Sequence, residues 1–208
     1  MHISEGVLAA PVLIAGAAAT TVGTFLGLRK LSPERIPQVA LLSAAFFVAS
    51  LVHVPLGPSS VHLVLNGLVG IILGLATFPA LLVALFLQAI LFQFGGLTTL
   101  GVNTFNMAFG GVVVYYLFRP LIYLFRPLIK SQKPLLVGIG AFLSGALAIL
   151  ISGILVALEL VFTGESFYTS AKLILAAHLP VMLIEGIITV LLVSFLKKVR
   201  PEIFLKEE

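Results

Sequence analysis

The chain has 208 residues, 60% hydrophobic and only 10% charged, with mean hydropathy +1.21 and net charge +4. Soluble domains carry about 25% charged residues, so an ordinary soluble protein is excluded and residues 1–208 read as a single integral membrane domain. There is no cysteine, which removes disulfides, thiolate metal sites and cysteine nucleophiles together. The basic residues fall in short segments between the apolar runs, which argues against nucleic-acid binding.

A helix crossing the hydrocarbon core needs about 20 mostly apolar residues. Taken in chain order, the apolar runs predict helices at roughly 7–28, 38–55, 61–77, 79–95, 103–124, 135–162 and 171–196. The third and fourth are separated by Phe78-Pro79, which reads as a tight turn because the residue before proline avoids the helical region. With this split, Arg29, Lys30, Arg35, Arg119, Arg126, Lys130, Lys133, Lys197, Lys198, Arg200 and Lys206 share one face, and Lys172 stands alone on the other. Positive residues mark the cytoplasmic side. The expected fold class is therefore an all-α, polytopic membrane protein of seven transmembrane helices, N-terminus outside and C-terminus cytoplasmic. Because the first basic residue is Arg29, a cleavable secretory signal lacks its basic n-region, and the N-terminus is expected to be retained.

That topology gathers the polar residues MHISEG (1–6) and the segments 53–62, 95–103 and 163–172 on the outer face. His2 follows the first methionine directly. In that position the Met1 amine, the His2 amide nitrogen and His2 Nδ1 can chelate one metal ion through fused rings. They fill three corners of a square, and square-planar nitrogen coordination selects Ni(II) or Cu(II). His62, next to the turn GPSS, is the better fourth donor; His53 is the alternative, more simply read as an interfacial residue reaching water. Ser59 and Ser60 have the residue type for capping the third helix, with support of a ligating imidazole as a further role. Asn103, in the Gly-rich stretch GGLTTLGVNTFNMAFGG (95–111), either satisfies freed backbone groups or lines the metal cavity. His178 and Glu185, seven residues apart, share a helix face toward the bundle interior; helix packing is the preferred role, transmission of a conformational change the alternative.

No HExxH, GxSxG or phosphate-binding GxxxxGK[ST] pattern occurs, so no enzyme is expected, and ATP hydrolysis would belong to other subunits. A stand-alone secondary metal transporter is the rival reading, with only Glu159 and Glu185 available as buried acids for a coupling ion.

MHISEGVL (1–8), GPSSVHLVLNGLVGIILG (57–74), FQFGGLTTLGVNTFNMAFGG (92–111) and HLPVMLIEGIIT (178–189) together resemble, in order, four motifs of the CbiM/NikM family. These are the substrate-binding components of energy-coupling-factor transporters for nickel and cobalt, and the likeness covers essentially the whole chain. The resemblance implies metal ligation at Met1, His2 and His62. It implies as partners a membrane coupling subunit and two cytoplasmic ATPase subunits, in the plasma or inner membrane of a prokaryote; a small accessory membrane subunit is a further candidate. Cobalt-type members carry a Ser-His-Pro-Thr-Gly-like second motif, whereas here Val61 precedes His62 and Leu63-Val64-Leu65 follow. The transported ion is therefore expected to be Ni2+, with Co2+ as the alternative, and no organic cofactor is expected.

Overall fold

The computed structural model describes residues 2–51, 53–56, 58–124 and 134–204. Among them are seven α-helices and one short hairpin, in the order α1 (Ala10–Arg29), α2 (Ile36–Ala49), β1 (His53–Leu56), β2 (Ser59–His62), α3 (Asn66–Leu73), α4 (Thr77–Phe92), α5 (Leu100–Leu124), α6 (Pro134–Thr163) and α7 (Tyr168–Val199). Five stretches are long and apolar enough to cross a membrane: 10–29, 66–92, 100–118, 135–163 and 165–199. The chain is thus a multi-pass, predominantly helical membrane protein.

The first and the last three helices lie within three residues of their expected bounds, because long uniform apolar runs leave little choice of conformation. Between them the structure departs from the sequence reading. The second helix stops at Ala49 instead of running to 55. Its 14 residues reach about 21 Å at 1.5 Å each, short of the ~30 Å hydrocarbon core. Pro55 and Pro58 cannot donate the bonds a continued helix needs. The segment instead folds as an antiparallel pair with His53 opposite His62 and Leu56 opposite Ser59. The expected helix at 61–77 starts only at Asn66, so Ser59 and Ser60 lie in a strand and cap nothing; Leu65 occupies the N-cap position.

The chain also turns at a different place. A 3-10 turn at Gly74–Ala76 separates α3 from α4, and Pro79 lies in the first turn of α4, where its missing N–H is no loss. α3 descends alongside α5: Asn66 Nδ2 donates to Met107 O, and Gly70 and Gly74 stand against Gly111 and Tyr115. α4 returns the other way, from Thr77 beside Gly111 to Gln88, which bonds to Ser50 at the end of α2. The continuous apolar stretch 66–92 therefore reverses direction in its middle.

The α3–α5 contact is backbone against backbone. A Cβ on Gly70 would stand 2.2 Å from Gly111 O and 2.5 Å from Gly111 Cα. Small residues permit such approach between membrane helices. Gly70→Ala should therefore destabilise the protein by about 1–3 kcal/mol, the usual cost of overpacking. Gly140→Ala, where a Cβ would meet nothing within 4 Å, should leave it unchanged. Thermal unfolding of the two variants in one detergent checks the contrast.

Candidate metal centre

A chain terminus normally frays unless something ties it down. Here residues 2–9 are tied at almost every step. Ile3 forms a β-bridge with Ser59, and Ser4 N–H donates to Pro58 O at 3.1 Å, so the terminal segment lies along β2. Asn103 of α5 grips the Ile3 backbone from the other side: its Oδ1 accepts Ile3 N–H at 2.9 Å and its Nδ2 donates to Ile3 O at 3.1 Å. Gly95 leaves room for that amide, since a Cβ there would stand 2.6 Å from Asn103 Nδ2. The Ile3 side chain is fully buried, with Val102, Val156, Leu160 and Ile174 in the same apolar cluster. Further out, the Glu5 carboxylate accepts Thr98 N–H at 3.0 Å, which holds its pKa below the ordinary carboxylate value. Ala9 N–H, before α1, donates to Thr163 Oγ1 at the end of α6.

This anchorage buries the His2 ring, which is 4% exposed. Its Nε2 lies 3.0 Å from Gln88 Oε1. The Gln88 amide nitrogen donates to Phe47 O at 3.0 Å and to Ser50 Oγ. Ser50 Oγ in turn donates to Phe46 O at 2.7 Å, so the hydroxyl is an acceptor toward Gln88. With both amide hydrogens committed, Gln88 can offer His2 only its oxygen. That assigns the proton to His2 Nε2 and the ring's lone pair to Nδ1, the nitrogen that a chelate through the His2 backbone requires.

His62 has the opposite tautomer. Its Nδ1 donates to Leu63 O at 2.8 Å, and its Nε2 is buried without a hydrogen-bond partner among the described residues. The two rings face each other with centroids 4.6 Å apart and planes tilted by 31°. Burial pushes the His62 imidazole well below its ordinary pKa, which favours the neutral form. A neutral imidazole is the metal-binding form.

Of the other sequence candidates, Met1 and the His53 side chain lie outside the described residues; the His53 backbone pairs with that of His62. Ser59 and Ser60 are buried in β2, and Ser59 Oγ has no hydrogen-bond partner among the described residues. Asn103 acts on the backbone beside His2. His178 and Glu185 are both buried, as their shared helix face requires, but they serve different partners. His178 Nδ1 donates to Ile174 O, while Glu185 accepts the N–H groups of Val64 and Leu65. Glu159, the other acid of the membrane region, accepts from Asn106 Nδ2 at 2.7 Å. Gln88 has no assigned role in the sequence reading; its one signal is an amide within the otherwise apolar run TFPALLVALFLQAILF.

Among the described residues, no three His, Asp or Glu side chains converge as a metal cluster. The His2 and His62 rings do meet, beside a main chain pinned at Ile3.

A family model described as CbiM, cobalt uptake substrate-specific transmembrane region, matches residues 2–203. A Haemophilus influenzae protein named for metal transport is 45% identical over 209 aligned residues, covering 100% of this chain and 98% of the relative. The cobalt transport protein CbiM of Kyrpidia tusciae is 33% identical, covering 98% of this chain and 85% of its own. The crystal structure of a truncated transition metal transporter superposes with TM-score 0.72 at 30% identity, over 95% of this chain and 99% of that one. The chain belongs to the CbiM family of metal-transport membrane components, whose members are transporter parts rather than enzymes.

Proposed function

We propose that this chain is the single-domain, substrate-binding component of an energy-coupling-factor importer, and that it captures Ni2+ at its outer end. The Met1 amine, the deprotonated His2 amide, His2 Nδ1 and His62 Nε2 are the four donors. The observation that carries this is the pair of opposite tautomers on facing rings: Gln88 leaves Nδ1 of His2 as the acceptor, and Leu63 O leaves Nε2 of His62 as the acceptor. Four nitrogen donors in one plane favour Ni2+, while Co2+ remains the alternative cargo. The relatives support both ions, since the Kyrpidia protein is named for cobalt and a fused Archaeoglobus fulgidus relative for nickel.

Binding at this site releases protons from the amine and the amide, because the ligands must be deprotonated. The outer segments then occlude the ion, and the component reorients within its complex. Transport is driven by two cytoplasmic ATPase subunits acting through a membrane coupling subunit, with a small accessory membrane subunit as a further partner. In this reading the chain crosses the membrane seven times, N-terminus outside and C-terminus cytoplasmic. Support for that orientation comes from the ends of the helices. The terminal segment meets Thr163 at one end of the bundle, while Lys197 and Lys198 close α7 some 48 Å along its axis at 1.5 Å per residue. The same bundle end as Lys197 carries Arg35, which donates to Ile72 O near the α3–α4 reversal.

The direct test extends the chain by one alanine ahead of Met1 and compares Ni2+ and Co2+ binding with that of the native chain. Loss of binding on extension, with Ni2+ preferred by the native chain, is the expected result. Equal binding by both chains would dismiss the amine as a ligand, and Co2+ preference would reassign the cargo. Gln88→Leu should weaken Ni2+ binding about 10–100-fold, the usual effect of removing the partner that orients a ligating histidine. Isothermal titration of folded, detergent-solubilised Gln88→Leu protein checks this, and unchanged affinity would show that the tautomer of His2 is set elsewhere.

A further inference from the structure

Glu185 belongs to α7 and is fully buried, yet its hydrogen bonds go to the turn that follows His62. Its Oε1 accepts Val64 N–H, and its two oxygens lie 3.0 Å and 3.1 Å from Leu65 N. Two successive backbone N–H groups converging on one carboxylate form an anion-binding nest. The turn they belong to is an unusual one. Leu65 holds φ +54, a left-handed conformation that a branched residue adopts only when its surroundings impose it.

The decisive geometry is covalent. The N–H of Val64 and the C=O of Leu63 are two ends of one planar, trans peptide unit, so fixing one end fixes the other. At one end the N–H enters the Glu185 carboxylate; at the other the C=O receives Nδ1–H of His62 at 2.8 Å. The sequence of contacts is therefore carboxylate, peptide, imidazole. It parallels the carboxylate–histidine pairs that orient metal ligands, with a peptide unit inserted between the two. Close helix approach lets Glu185 reach that far. A Cβ on Gly145 of α6 would stand 2.6 Å from Glu185 O, and one on Gly67 of α3 would stand 2.5 Å from Ser144 O.

We propose that Glu185 is a positioning residue for the metal site: acting through the Leu63–Val64 peptide, it holds His62 in the Nδ1–H tautomer with the Nε2 lone pair presented to the ion. The metal half of this rests on the reading under Proposed function; the tautomer half does not. It follows that α7 is mechanically tied to one ligand, so that displacement of α7 against α3 would loosen His62.

The test uses the full chain labelled with [15N]histidine, comparing native protein with Glu185→Leu and Glu185→Gln. In the native protein His62 should give the nitrogen shifts of a single Nδ1–H tautomer. In Glu185→Leu it should shift to a tautomer mixture, with Ni2+ affinity lowered about 10–100-fold. Glu185→Gln keeps one carbonyl acceptor and should lose less; it also carries the test should the leucine variant fail to fold. In a His62→Ala background the Glu185 substitution should cause no further loss of the residual binding by the terminus. Native-like His62 shifts in both Glu185 variants would overturn the proposal, and so would an equal loss of affinity in the His62→Ala background. If the native chain bound neither Ni2+ nor Co2+, the functional reading would fall. The nitrogen shifts alone would then decide whether Glu185 controls His62.

Discussion

The two-bond clamp of Asn103 on the Ile3 backbone is the contact on which the placement of His2 depends. A segment outside helices and sheets loses conformational entropy of about 1–2 kcal/mol per residue when its backbone is fixed. Asn103 offsets that cost with two buried hydrogen bonds, and the bridge to Ser59 and burial of the Ile3 side chain add to it. Once Ile3 is fixed, the His2 ring has little freedom left, and the Gln88 oxygen completes its orientation. The site is thus built around a main chain held in place, with side chains selecting which nitrogen of each imidazole keeps its lone pair.

The second half of the site depends on a break in helical structure. Had α2 and α3 formed one continuous path of helices, His62 would sit on a helix surface with its side-chain direction set by helical geometry. Instead, the prolines at 55 and 58 force a hairpin, β2 receives the terminal segment as a neighbour, and both imidazoles lie against the same short strand. The cost is a set of backbone groups without helical partners at 63–65. Glu185 answers it from α7 with a buried carboxylate, and the left-handed Leu65 records how tightly that turn is held.

Much of this was legible in the residues. The long helices α1, α5, α6 and α7 follow from apolar length alone. The meeting of His2 with His62 follows from the expected topology, which gathers both on one face, and from the resemblance to a known family. The centre of the chain was harder to read, for physical reasons. A strand such as SSVH inside a continuous apolar context has no period that separates it from a helix start. Sequence alone points to Pro79 for the reversal, the stronger breaker in general, but proline is harmless in a first helical turn. Gly74, with φ +58 and Tyr115 packed against its missing side chain, is where the chain turns. Gln88 and Glu185 were visible only as polar residues in apolar runs. Their partners are 86 residues away at His2 and 121 away at Val64, and no local spacing reports such pairs.

In the proposed site, main-chain nitrogen and two imidazoles of opposite tautomer bind the ion in one plane. X-ray absorption at the nickel K-edge of the Ni2+-loaded native chain tests it most directly. A four-coordinate, square-planar spectrum with an all-nitrogen shell is the predicted result. A six-coordinate shell dominated by oxygen would contradict the account, whatever the affinity.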